Sequence, residues 1–136
     1  MSKRLIRLMA FHFPFLKGEE ISDILSICAR SNGLTYFPLD KPEALVGYFR
    51  FYPELIEAVQ QQDFDLLEEC DLSYGPLVYL AALILPEGER YAEMREIARV
   101  LNAKAYCFHR FRHGEWRFHF FKNSVFSKRG QNASVH

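Results

Sequence analysis

Lys104–Lys122 reads KAYCFHRFRHGEWRFHFFK, and the aromatic and basic residues of the chain are concentrated there. Two runs of β-forming residues flank His113-Gly114, a pattern that predicts a β-hairpin in which glycine supplies the positive φ of a tight turn. With a loop of two residues, or four, Arg112 faces Glu115, Arg110 faces Arg117 and Phe108 faces His119. One face then carries Cys107, His109, Phe111, Trp116, Phe118 and Phe120, an apolar set fit for burial. The other carries Tyr106, Arg110, Arg112, Arg117 and His119, a wet and positive surface. Trp116 and Phe118 are expected to pack against a helix over Glu89–Leu101, leaving Arg110 and Arg117 in solvent.

That helix is the best patterned in the chain. Tyr91, Met94, Ile97, Ala98 and Leu101 form its apolar stripe, and Asn102 is a suitable cap. Before it, Gly75-Pro76 and Pro86 bracket LVYLAALIL at 77–85. Nine residues are too few for periodicity alone to separate a buried strand from a buried helix. Ala81-Ala82, four leucines and a Gly-Pro pair suited to the N-cap and first helical position weight this segment towards helix.

The middle of the chain reads as helical and acidic. Asp40-Lys41-Pro42-Glu43 has the residues of a helix start, with Leu45, Val46, Tyr48 and Phe49 following and Pro53 as a breaker. Pro53–Gln62 restarts with Leu55, Ile56 and Val59, and Asp63 caps a short helix to Cys70. Further back, Glu19–Ser31 is a helix with acids in its first turn and Asn32-Gly33 as its stop. Leu34–Leu39 is a short extended piece. Arg4–Phe13 has apolar residues on both faces of a two-residue repeat, which predicts a central strand ending at Pro14.

The expected fold class is therefore α+β: a small antiparallel sheet, made of the N-terminal strand and the C-terminal hairpin, covered by several helices. Residues 1–122 form the expected single domain and 123–136 a flexible polar tail. A chain of 136 residues, 49% hydrophobic and 25% charged, suits one globular domain and excludes a disordered one.

The formal charge is zero but unevenly spread. Residues 1–17 carry +4, residues 18–100 carry −10 and residues 101–136 carry +6. If the two basic ends meet in space, one face is positive and the helical body negative. Such a dipolar molecule suits selective docking better than indiscriminate coating of DNA. Cys28, Cys70 and Cys107 are odd in number and widely spaced, which points to a reducing compartment and a cytoplasmic protein. The longest apolar run, Leu77–Leu85, is far short of the roughly 20 residues of a membrane helix. The basic N-terminus is interrupted by His12 and Pro14 and lacks the long apolar core of a signal peptide.

Phe11-His12-Phe13 and Phe118-His119-Phe120 each place a histidine between phenylalanines, which raises a two-histidine phosphodiesterase reading. The family that performs this chemistry carries His-x-Thr or His-x-Ser, whose hydroxyl binds the phosphate, and Pro14 and Phe121 stand at those positions instead. Cys107, His109, His119 and His12 are candidate zinc ligands, but the hairpin register puts His119 on the opposite face from Cys107 and His109. Two ligands fall short of the three or four that zinc requires, so no metal and no cofactor is expected. No nucleophile elbow, glycine-rich phosphate loop or catalytic cysteine context occurs.

The basic aromatic hairpin remains. Arginines beside exposed rings clamp phosphates or anchor on acidic protein patches, although solvated arginines whose stems cover the sheet need no partner at all. The reading is a non-catalytic intracellular binding protein of inhibitor, immunity or adaptor type. It docks a macromolecular partner, a protein in preference to nucleic acid because the chain is neutral overall and its body acidic. The binding residues are Arg110, Arg112, Arg117, His119 and Tyr106. RNA or single-stranded DNA binding is the alternative, and the phosphodiesterase comes third.

Overall fold

The computed structural model describes residues 3–12, 16–37, 44–84 and 90–122. Five strands form one mixed sheet in the order β1 (Leu34–Phe37), β2 (Ala44–Phe51), β3 (Leu77–Ile84), β4 (Ala105–Arg112) and β5 (Glu115–Lys122). Neighbours are antiparallel except β3 and β4, which are parallel because α5 (Arg90–Leu101) returns the chain to the starting end of the sheet. The α+β class with a C-terminal hairpin is thus the observed one, but the sheet is mixed rather than purely antiparallel.

Helices cover both faces. On one face α5 packs Ile97, Ala98 and Leu101 against Val46, Val78, Leu80 and Tyr106. On the other lie α1 (Lys3–His12), α2 (Gly18–Arg30), α3 (Ile56–Gln60) and α4 (Phe64–Glu68). There Ile27, Val59 and Leu67 meet Phe49, Phe51, Leu77, Tyr79 and Cys107. Met9, Ile21 and Leu25 close the same face over Ala82.

Three segments differ from their sequence reading. Lys3–His12 is helix, not strand. Its apolar residues fit both periods, and Leu, Met, Ala, Lys and Arg are strong helix formers, so what looked like two faces of a strand is one stripe, with Ile6 half-buried and Met9 fully buried. Phe13 lies outside the described residues.

Ala44–Phe51 is strand, not helix. Phe49 and Phe51 face one layer and Val46 and Tyr48 the other, and Leu45 is buried as well, the two-sided burial of an interior strand. The cap residues Asp40–Glu43 lie outside the described residues.

Leu77–Ile84 is also strand, against its weighting towards helix, and its first four residues are all buried. Gly75 is not a helix cap. Its φ is +138°, and a Cβ there would overlap the backbone of Phe51, so glycine lets the chain pass against β2 before β3 begins.

The remaining helices lie where their patterns place them. Glu20 accepts from the Lys17 N–H at 3.0 Å at the start of α2, and Asp63 accepts from the Leu66 N–H at 3.3 Å at the start of α4. At the end of α2, Asn32 adopts φ 56° and the Gly33 N–H donates to the Cys28 carbonyl at 2.7 Å. The Arg50 guanidinium donates to the Leu101 carbonyl, closing the C-terminal end of α5. The tail 123–136 lies outside the described residues.

Candidate functional site: the arginine face of the hairpin

The hairpin has the two-residue turn and the register read from the sequence. His113 and Gly114 both have positive φ, 53° and 76°, the primed turn whose twist matches that of the strands. Arg112 pairs with Glu115, Phe111 with Trp116, Arg110 with Arg117, His109 with Phe118 and Phe108 with His119. The two faces therefore carry the residue sets expected of them.

Their surroundings are another matter. β3 and β4 pair only through Leu77–Tyr79 and Ala105–Cys107, although each strand is eight residues long. Beyond Cys107 the hairpin leaves the central sheet, and its outer half is exposed or half-buried on both faces. Trp116 is 42% and Phe120 46% exposed, while Phe118 packs partly against the Phe49–Tyr79 cluster. Trp116 and Phe118 do not meet α5, because the crossover helix covers the opposite face, the one that carries Tyr106 and Phe108.

Arg110, Arg112 and Arg117 are exposed on that α5 face, past the end of the helix contacts. Arg110 lies directly opposite Arg117. Arg117 reaches Glu115 at 3.8 Å with both side chains 70% exposed, a pair that water screens heavily. Among the described residues, no carboxylate lies within salt-bridge distance of Arg110 or Arg112. His119 is half-buried and stacks on Phe108, ring centroids 5.1 Å apart at 26°, with Phe121 at 6.4 Å and 15°. The stacked rings form a firm floor beside the arginines.

Tyr106 does not belong to this surface. It is 1% exposed beneath the last turn of α5. Its hydroxyl donates to the Ala98 carbonyl at 2.8 Å and accepts from the Ala103 N–H at 3.0 Å. One phenol thus satisfies the Ala103 N–H past the helix end and adds a second donor to the Ala98 carbonyl, which also accepts from the Asn102 N–H at 2.9 Å, and burial raises the phenol pKa above the ordinary value. The alternation of the strand places Tyr106 on the arginine face, but α5 covers that end of it.

On the reverse face His109 joins three elements. Its Nε2–H donates to the Gln60 carbonyl at 2.8 Å, which leaves Nδ1 to accept from the Tyr79 hydroxyl at 2.6 Å. Burial lowers the imidazole pKa, and burial raises that of the Tyr79 phenol. Sequence reasoning missed this link because its partners lie 30 and 49 residues away, with no local signal.

The acidic segment lies on the reverse side too. Pro53–Leu72 holds Glu54, Glu57, Asp63, Asp65, Glu68, Glu69 and Asp71 and no base, and α3 and α4 within it pack on the face away from the arginines. The three arginines and the acidic segment thus lie on opposite faces of the sheet. The basic N-terminal segment does not extend the arginine face as envisaged, since α1 packs with α2 on the opposite side.

Among the described residues, no group of three or more His, Cys, Asp and Glu side chains is arranged to hold a metal ion. His12 ends α1 rather than lying on a strand beside His119, so the two-strand geometry of a histidine-pair phosphodiesterase is not formed. Among the described residues, no helix is long and apolar enough to cross a membrane. No protein-family model matches the chain, and no curated protein matches it.

Proposed function

We propose that this chain is a non-catalytic intracellular binding protein that docks an acidic surface of a partner protein through Arg110, Arg112 and Arg117, with His119 in the stacked floor beside them. The observation that carries the reading is the direct Arg110–Arg117 pair on an exposed ladder. Like charges opposite one another weaken a hairpin, and polar or aromatic residues would serve the fold as well. A partner anion is the physical reason for placing three arginines on this face.

The acidic reverse face favours a protein over nucleic acid. A polyanion approaching the hairpin is repelled by the seven carboxylates of Pro53–Leu72 once it extends past the sheet, whereas a compact acidic patch need touch only one side. Single-stranded nucleic acid is the second reading, favoured by the Phe108–His119–Phe121 rings beside the arginines.

The test replaces Arg110, Arg112 and Arg117 together by Gln, confirms the fold by circular dichroism, and measures binding to poly(U), to oligo(dT) and to host lysate over a salt series. For an acidic protein partner, added salt mainly slows association and leaves dissociation less affected. For single strands, affinity falls with a log–log slope of about 0.7 per phosphate contact. A folded triple variant that keeps every interaction of the wild type would remove the basis of the reading.

A further inference from the structure

The sheet ends in β5, and among the described residues no strand pairs with its outer edge. In a hairpin closed by a two-residue primed turn, the residues flanking the turn exchange backbone hydrogen bonds, and every second pair after them does the same. Glu115, Arg117, His119 and Phe121 thus direct their N–H and C=O groups at β4. Trp116, Phe118, Phe120 and Lys122 direct theirs outwards. The same three aromatic residues whose backbones line the outer edge have their rings together on one face, and two of them, Trp116 and Phe120, are more than 40% exposed.

Among the described residues, the edge carries none of the usual devices against strand addition. β5 is eight residues long, with no proline and no register break against β4. The charged residues Glu115 and Arg117 have their hydrogen-bonding groups turned inwards, and the only charge in the outward row is Lys122 at its end. Read in reverse, the aromatic part of that row matches itself about Phe118.

We propose that this edge pairs with β5 of a second copy, antiparallel, with Phe118 opposite Phe118 of the other chain. A two-fold axis normal to the sheet keeps each face on its own side, so only residues of one face meet. In this register Trp116 lies opposite Phe120 of the second copy, and the outward-directed backbone groups meet one another, making about six backbone hydrogen bonds over three residue pairs. Six rings form one band across the junction, with aromatic cross-strand pairs adding to the ladder. The pairing is isologous and uses up the β5 edge of both chains, so it closes at two. Another protein's strand would satisfy the same backbone groups, but the symmetry of the aromatic row about Phe118 is matched by the chain itself.

The test is the mass of the full chain by light scattering and sedimentation across a concentration series, with three variants in a Cys70→Ser background. The wild type is expected at twice the chain mass. Phe120→Pro removes an N–H that the hairpin does not use, so a folded single chain is expected. Phe118→Cys places two thiols across the axis and is expected to form a disulfide-linked dimer on mild oxidation. Trp116→Cys is expected not to, since its copies lie about 14 Å apart along the strands. A wild type that stays at one chain mass throughout would overturn the proposal, as would a folded Phe120→Pro that remains a dimer. If Phe118→Cys fails to fold, because Phe118 also packs on the core, the Phe120→Pro mass decides. Arginine-dependent binding by a single chain would leave the proposed function standing and remove only this pairing.

Discussion

The Tyr79 hydroxyl lies 2.6 Å from His109 Nδ1, and the other ring nitrogen of the same histidine reaches the Gln60 carbonyl at 2.8 Å. One imidazole thereby fastens β4 to β3 and to the end of α3, close to where β3 and β4 part.

This arrangement sets a pH dependence. Burial lowers the folded pKa of His109 below its ordinary 6.5, so the folded chain resists a proton that the unfolded chain accepts. The stabilisation is fully present above pH 6.5 and is lost as the pH falls through the depressed folded value. Urea midpoints are expected to drop between pH 7.5 and pH 5. His109→Gln is expected to be less stable at pH 7.5 and to show a shallower fall. An equal fall in the variant would assign the effect to other groups.

Tyr106 separates a fold residue from a binding residue. Tyr106→Phe strips the partner from the buried Ala103 N–H and leaves the Ala98 carbonyl with the Asn102 N–H alone, at an expected loss of about 1–3 kcal/mol in denaturant unfolding. Partner binding by the folded variant is expected to match the wild type. A variant of unchanged stability with weakened binding would return Tyr106 to the docking surface.

Gly75 is expected to be intolerant of a side chain. Its φ of +138° alone costs a non-glycine residue about 1–3 kcal/mol, before the displacement of Phe51 that a Cβ requires. Gly75→Ala is expected to unfold at markedly lower urea, whereas Gly114→Ala, with open space around it, is expected to cost only the turn conformation. Equal midpoints for the two variants would contradict the close approach of the Gly75 loop to β2.

The thiols are expected to differ sharply. Burial pushes Cys28 and Cys107 up to about 12, while Cys70 is only half-buried on the surface layer. A chromogenic disulfide reagent is expected to titrate Cys70 alone in the native chain and all three thiols after unfolding. Rapid native reaction of all three would mean that the core around Phe49 and Tyr79 opens readily.

The hairpin was legible because its signals are local: His113-Gly114 specifies the turn, and the turn specifies every pair from Arg112–Glu115 outwards. Which layer covers each face was not legible. That depends on β3, whose uniformly apolar residues have no period to read, and on the crossover that brings α5 over Tyr106 rather than Trp116. The same ambiguity concealed β2, where Leu45, Val46, Tyr48 and Phe49 suit a helix stripe as well as a strand buried on both sides. Arg110, Arg112 and Arg117 lay where the alternation placed them because they stand exposed near the end of the ribbon, past the α5 contacts. Tyr106, four residues nearer the sheet on the same face, was lost to the core.

The most direct measurement of the central claim compares quantitative capture of host proteins by three full-length baits. These are the wild type, the hairpin variant Arg110→Gln/Arg112→Gln/Arg117→Gln, and a charge-matched control, Arg7→Gln/Lys17→Gln/Arg30→Gln, whose exposed residues lie on α1, at the N-cap of α2 and at the end of α2. Both variants lower the net charge by the same amount, so a general electrostatic effect moves them together. An acidic protein is expected to be held by the wild type and the control and lost by the hairpin variant. A folded hairpin variant that captures the same proteins in the same amounts, or loses no more than the control, would contradict it.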